Sequence, residues 1–136
     1  MVVDASAVLA LLRDEEGADV VAELLTETEK TLTGHSGLIS AVNWTEVVQV
    51  ATPKAIAGLK KAGGPFSVVD FNESHAEKAA SFREPTKHLG LSLADRACLA
   101  LGAVTTYKVV TADGDWLKAD LGVKVRHIRP DTKAAG

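Results

Sequence analysis

Several absences bound what this sequence can be. It has a single cysteine, Cys98, among 136 residues, so no disulfide can form within the chain. Cys98 lies in the apolar stretch Leu93 to Leu101, where it reads as core rather than as a reactive thiol. Aromatic residues make up only 4%, so a core must be built from Val, Leu, Ile and Ala. Basic residues are not in excess: 15 stand against 18 acidic ones, for a net charge of −3. That counts against a binder that holds nucleic acid by bulk positive charge. It leaves open an enzyme that meets nucleic acid through metal ions. The four histidines, at 35, 75, 88 and 127, show no close metal-ligand spacing. No apolar run reaches the length of a membrane span, and no leader is expected before a strand that starts at Met1 or Val2. A cytoplasmic protein is the expectation.

What is present is an alternation of strand-like and helix-like stretches, with hydrophobic residues at 46%. Val2-Val3 reads as a short strand, followed by a helix with Ala5, Val8, Leu9 and Leu12 apolar and Ser6 as its cap. Asp14 to Gly17 break that helix, and a second carries Ala18, Val21, Leu24 and Leu25. Residues 31–39 are irregular, with Gly34 and Gly37 set against a long element. Ser40 caps a helix from Ala41 to Ala51, in which Asn43, Glu46, Val47 and Val50 share a face, placing Glu46 among apolar neighbours. A helix from Pro53 to about Lys61 follows, then a turn at Gly63-Gly64-Pro65. Phe66 to Phe71 reads as a strand. A helix begins at Asn72 or Ser74 and ends at Pro85. Ser92 caps a helix rich in small residues. Lys108 to Thr111 is a strand, Trp116 to Leu121 a short helix, and Val123 to Ile128 an edge strand. Residues 129–136 read as a tail, and residues 1–128 as one α/β domain with a mainly parallel sheet.

Four acids fall where such a sheet concentrates chemistry. Asp4 follows the first strand, Asp113 follows the strand ending at Thr111, Asp95 is three residues into a helix, and Glu46 lies on the apolar face of its helix. Strand ends and helix starts share one rim in a parallel sheet. Each acid also has a purely structural reading. Asp4 precedes a helix and suits its dipole. Ser92-Leu93-Ala94-Asp95 fits a capping box, as does Asn43-Trp44-Thr45-Glu46, and Asp113 can cap the turn containing Trp116. Four carboxylates brought together repel one another unless a cation joins them. Oxygen ligands without His or Cys select Mg2+, with Mn2+ as a substitute, over Zn2+.

Val2-Val3-Asp4-Ala5-Ser6, Asn43-Trp44-Thr45-Glu46, the stretch Leu91-Ser92-Leu93-Ala94-Asp95-Arg96-Ala97-Cys98, and Val110-Thr111-Ala112-Asp113 stand in order. Together they resemble the PIN-domain ribonucleases, and among them the VapC-type toxins of toxin–antitoxin modules. The resemblance implies a three-layer α/β/α sandwich, usually a homodimer, with an acidic Mg2+ pocket that cleaves RNA. It also implies neutralisation by a small antitoxin. It places Asp4, Glu46, Asp95 and Asp113 as catalytic and metal-binding acids, and Ser6 and Thr111 as small hydroxyls beside the pocket. Asp115 is a further candidate ligand. Arg96 either meets a phosphate or pairs with a neighbouring carboxylate. The expected chemistry is hydrolysis of a phosphodiester by a metal-activated water. Two other readings stay open: a Mg2+ phosphatase with Asp4 as nucleophile, and a non-catalytic module that keeps the fold for binding. The serine at position 6 weakens the first, because such phosphatases usually need a second acid there.

Overall fold

The computed structural model describes residues 1–28, 34–61 and 64–129. Its order is β1 (Val2–Val3), α1 (Ala5–Arg13), α2 (Ala18–Glu27), β2 (Gly37–Ser40), α3 (Ala41–Val50), α4 (Pro53–Lys60), β3 (Phe66–Val69), α5 (Glu73–Ser81), α6 (Leu93–Thr105), β4 (Val109–Thr111) and β5 (Val125–His127). A 3-10 turn, Lys87–Leu89, precedes α6, and another, Gly114–Lys118, follows β4. All the strand pairings are parallel, and the sheet order is β3-β2-β1-β4-β5.

β1, β2 and β4 are fully buried because both faces of the sheet are covered there. Successive residues point to opposite faces. Val3, Ile39 and Val110 join Val8 of α1, Val21 of α2, Val47 of α3 and Leu59 of α4 in one core. Val2, Leu38 and Val109 join Ala79 of α5, residues 98–101 of α6 and Trp116 in the other. This is the expected α/β/α sandwich. Cys98 is fully buried in the second core, as its neighbours in sequence predict.

Several local expectations are corrected. Asp4, not Ser6, caps α1, because the backbone turns helical one residue after the strand ends. Within the irregular stretch, residues 34–36 precede a true strand, β2, and residues 29–33 lie outside the described residues. Gly37 starts that strand because a Cβ there would stand 2.5 Å from the Phe66 ring on the paired strand. The glycine marks a close approach, not a break. On α3 only Asn43 and Val47 are buried, whereas Glu46 and Val50 are exposed. The buried stripe is one residue wide, so Glu46, at its margin, reaches the rim rather than the core. β3 stops at Val69 and α5 at Ser81, before Pro85 is reached. Residue 63 of the expected turn and residues 130–136 of the expected tail lie outside the described residues. β5 is an edge strand, as its alternating charges indicate. Among the described residues no helix is long and apolar enough to cross a membrane.

From β1 the chain moves outward to β2 and β3, then returns to place β4 on the other side of β1. The crevice at the carboxyl ends of β1 and β4 is therefore the switch point of the sheet, where open α/β sheets bind ligands.

Candidate active site

Asp4 and Asp113 flank that crevice. Asp4 is 6% exposed, and both its oxygens are engaged. Oδ1 accepts from the Ser6 hydroxyl at 2.7 Å and from the Ala7 backbone N–H at 3.0 Å. Oδ2 accepts from the Thr111 hydroxyl at 2.8 Å. Burial pushes the Asp4 carboxyl up to about 6; the bonds from Ser6, Ala7 and Thr111 oppose the rise, and the charge of Asp95 adds to it. Among the described residues no lysine or arginine pairs with Asp4, Glu46, Asp95 or Asp113.

Thr111 ties the two strand ends together. Its Oγ1 accepts from the Asp113 backbone N–H at 3.0 Å, and the Ser6 hydroxyl accepts from the Ala112 N–H at 2.9 Å. Asp113 caps the 3-10 turn, with Oδ1 accepting from the Asp115 N–H at 3.0 Å. Its side chain lies at the exposed mouth of the crevice.

Asp95 and Glu46 approach from the helices. Asp95 completes the capping box: its Oδ2 accepts from the Ser92 N–H at 2.9 Å, and the Ser92 hydroxyl accepts from the Asp95 N–H at 3.1 Å. Asn43 fastens the start of α3 to the start of α6. Its Nδ2 donates to the Ala94 carbonyl at 2.9 Å and reaches Glu46 Oε1 at 3.4 Å. The Cys98 thiol is raised first by burial and then by the charges of Asp4, Asp95 and Glu46. Asn43 is a site residue that face counting treated only as a core position. Its signal was polarity on a buried stripe.

Two further candidates have partners of their own. Among the described residues Arg96 pairs with no carboxylate; its Nη1 donates to the Ala79 carbonyl of α5 at 3.0 Å. Asp115 is exposed and pairs with Lys118 at 3.4 Å.

Capping and ligation draw on different atoms here. Among the described residues, Asp95 Oδ1, Asp113 Oδ2 and Glu46 Oε2 carry no hydrogen bond. The Asn43 Oδ1 atom is buried without a donor. A buried carboxylate beside a second acid, an orphaned amide oxygen and an absence of paired cations make a donor set that fits a hard divalent cation. In this arrangement, however, no three His, Cys, Asp or Glu side chains among the described residues close on a common ion position.

The chain belongs to the PIN domain family, whose model matches residues 1–121. Its fold is similar to that of a toxin–antitoxin complex from Klebsiella pneumoniae, with a TM-score of 0.68 at 19% identity over 90% of this chain and 93% of that one. It is also similar to VapBC2 from Rickettsia felis bound to a DNA fragment from their promoter, with a TM-score of 0.67 at 13% identity over 93% and 96%. A third likeness is to VapC20 of Mycobacterium tuberculosis, a sarcin-ricin loop cleaving toxin, with a TM-score of 0.64 at 16% identity over 90% and 98%. At these identities the likeness is one of fold. No curated protein matches the chain.

Proposed function

We propose that this chain is a Mg2+-dependent endoribonuclease and the toxin of a toxin–antitoxin pair. The observation that carries the reading is Asp4: a buried carboxylate at the switch point, beside Asp95, with three hydrogen-bond donors and no cationic side chain. The toxin relatives of the same fold support the biological role.

Asp4, Asp95 and Asp113, with Glu46, would hold the ion. Bound there, Mg2+ would polarise the scissile phosphate and acidify an attacking water. The chain's own part is placement. Ser6 and Thr111 fix both oxygens of Asp4, and the Ser92 N–H fixes one oxygen of Asp95. Asn43 holds the helix start that carries Asp95 against the one that carries Glu46. Asp4 is a poor nucleophile for a phosphatase, because three donors already occupy its oxygens. The proposed partners are an RNA, a second copy of this chain, and a small antitoxin whose arginine or lysine enters the acidic crevice in place of the ion.

Purified protein incubated with RNA tests the reading. Cleavage is expected with Mg2+ or Mn2+, leaving 5′-phosphate ends, and is expected to stop with chelator and in Asp4→Asn. Cleavage that survives chelation would remove the metal mechanism. No cleavage of any RNA, with the Mg2+ stabilisation described in the Discussion also missing, would leave a binding module.

A further inference from the structure

His127 ends the edge strand β5 and stands in register with Thr111 on β4. Its Nε2 lies 3.1 Å from the Ala112 carbonyl oxygen. A carbonyl only accepts, so Nε2 carries the proton in this contact. The ring also covers the next turn. A Cβ on Gly114 would stand 3.3 Å from His127 Cε1 and 3.6 Å from each ring nitrogen. A side chain at 114 would press on the imidazole, which would have to give by a few tenths of an ångström.

These contacts clamp Ala112 from two sides. Its N–H goes to Ser6 on α1, and its carbonyl receives His127 from β5. Asp113 follows at once, exposed to solvent, its N–H held by the Thr111 hydroxyl and its Oδ1 by the Asp115 N–H. The bonds to Thr111 and Asp115 hold Asp113 locally, and the clamp on Ala112 with the ring against Gly114 holds the turn that carries them. If His127 did not donate, only the Ser6–Thr111 side would hold the loop.

We propose that His127 is a positioning residue of the acidic site: its Nε2–H holds the Ala112 carbonyl and so steadies the turn that carries Asp113 beside the end of β4. The catalytic consequence rests on the nuclease reading above; the effect on the loop does not. A ring that merely packs would be replaced well by phenylalanine. A ring that acts by donation would be replaced by glutamine, whose amide N–H can reach the same carbonyl.

The test compares His127→Phe, His127→Gln and His127→Ala in the full chain, each first shown to melt cooperatively. Two quantities are read: steady-state cleavage of RNA with Mg2+, and hydrogen exchange at the Asp113 and Asp115 amides in the metal-free protein. The Phe and Ala variants are expected to lose about tenfold in kcat with KM nearly unchanged, since a misplaced catalytic group costs rate rather than binding. Their Asp113 and Asp115 amides should exchange faster. The Gln variant should stay near wild type in both. Wild-type behaviour of His127→Phe in exchange and turnover would overturn the proposal. If the wild type cleaves no RNA, the nuclease reading falls and the exchange data alone decide the role of His127.

Discussion

Thr111 Oγ1 donates to Asp4 Oδ2 at 2.8 Å while accepting from the Asp113 N–H at 3.0 Å, so one hydroxyl joins two acids 109 positions apart in sequence. Thr111 is fully buried, so neither bond has water as a ready substitute. Thr111→Val keeps the shape but removes donor and acceptor together. It should cost about 1–3 kcal/mol of stability, because a buried carboxylate and a backbone N–H both lose a partner. RNA cleavage should fall with it. Thr111→Ser keeps the hydroxyl and should recover most of both. Urea unfolding of the three proteins checks the first expectation; a valine variant as stable as wild type would show that the bridge contributes nothing.

Asp4 makes stability depend on pH in an uncommon direction. Its carboxyl is pushed up to about 6 in the folded protein, against about 3.9 in an unfolded chain. Between those values the folded state holds a proton that the unfolded state has released. Raising the pH through that window therefore removes stability, with an upper bound of roughly 3 kcal/mol for a shift of about two units. The extra stability is fully present below pH 4 and lost above pH 6. Asp4→Asn does not titrate and still offers an oxygen to the Ala7 N–H as a good cap. In chelator, the variant should become steadily more stable than wild type as pH rises from 4 to 7. Denaturation curves at four pH values measure this, and a difference that stays flat would place Asp4 in an ordinary carboxyl environment.

Much of this site was legible because it depends on local rules. Asp4 and Asp113 follow short β-branched runs, and Ser92 with Asp95 writes its capping box in four residues. The mainly parallel sheet followed from the alternation of strands and helices, and the three layers from the family resemblance. The losses came from contacts distant in sequence. Gly37 looked like a breaker because its reason, the Phe66 ring, lies on another strand. Glu46 looked buried because spacing defines a face but not its width. For Arg96 an ion pair stood open because nothing near it in sequence announces the Ala79 carbonyl. That His127 touches the Asp113 loop follows only from the pairing of β4 with β5.

Asp95 has a capping role that the structure displays and a metal role that is proposed, and stability separates them. Asp95→Asn can still accept from the Ser92 N–H, but it loses the charge that favours a helix start, worth about 0.3–1 kcal/mol. Against that, it removes the charge that helps raise Asp4. In chelator the two effects oppose, and the variant should melt close to wild type. Mg2+ should then raise the melting temperature of the wild type by mass action, and that of the variant much less. A wild type indifferent to Mg2+, with a variant clearly weaker in chelator, would leave Asp95 as a cap alone.

Asn43 offers the sharpest separation of shape from chemistry. It is 1% exposed, and its Nδ2 faces two acceptors, the Ala94 carbonyl and Glu46 Oε1. Those partners fix which end of the amide is nitrogen. Asn43→Asp changes almost no volume, yet it turns the donor into a carboxylate aimed at a carbonyl and a second acid. Both contacts become repulsive, in a region that already holds Asp4 and Asp95. The variant should lose more stability at pH 7 than Asn43→Ala, which strands the Ala94 carbonyl at a cost of about 1–3 kcal/mol. Acid should separate them further. Protonation returns an O–H donor to position 43, so Asn43→Asp should recover as pH falls, whereas Asn43→Ala should follow wild type. Mg2+ should also help the aspartate variant more than the alanine variant if the new carboxylate lies within reach of the proposed ion. Parallel urea titrations at pH 4.5 and 7, with and without Mg2+, measure all of these shifts. An aspartate variant that matches alanine at both pH values would mean that Asn43 fills space between α3 and α6 without organising the acids around it.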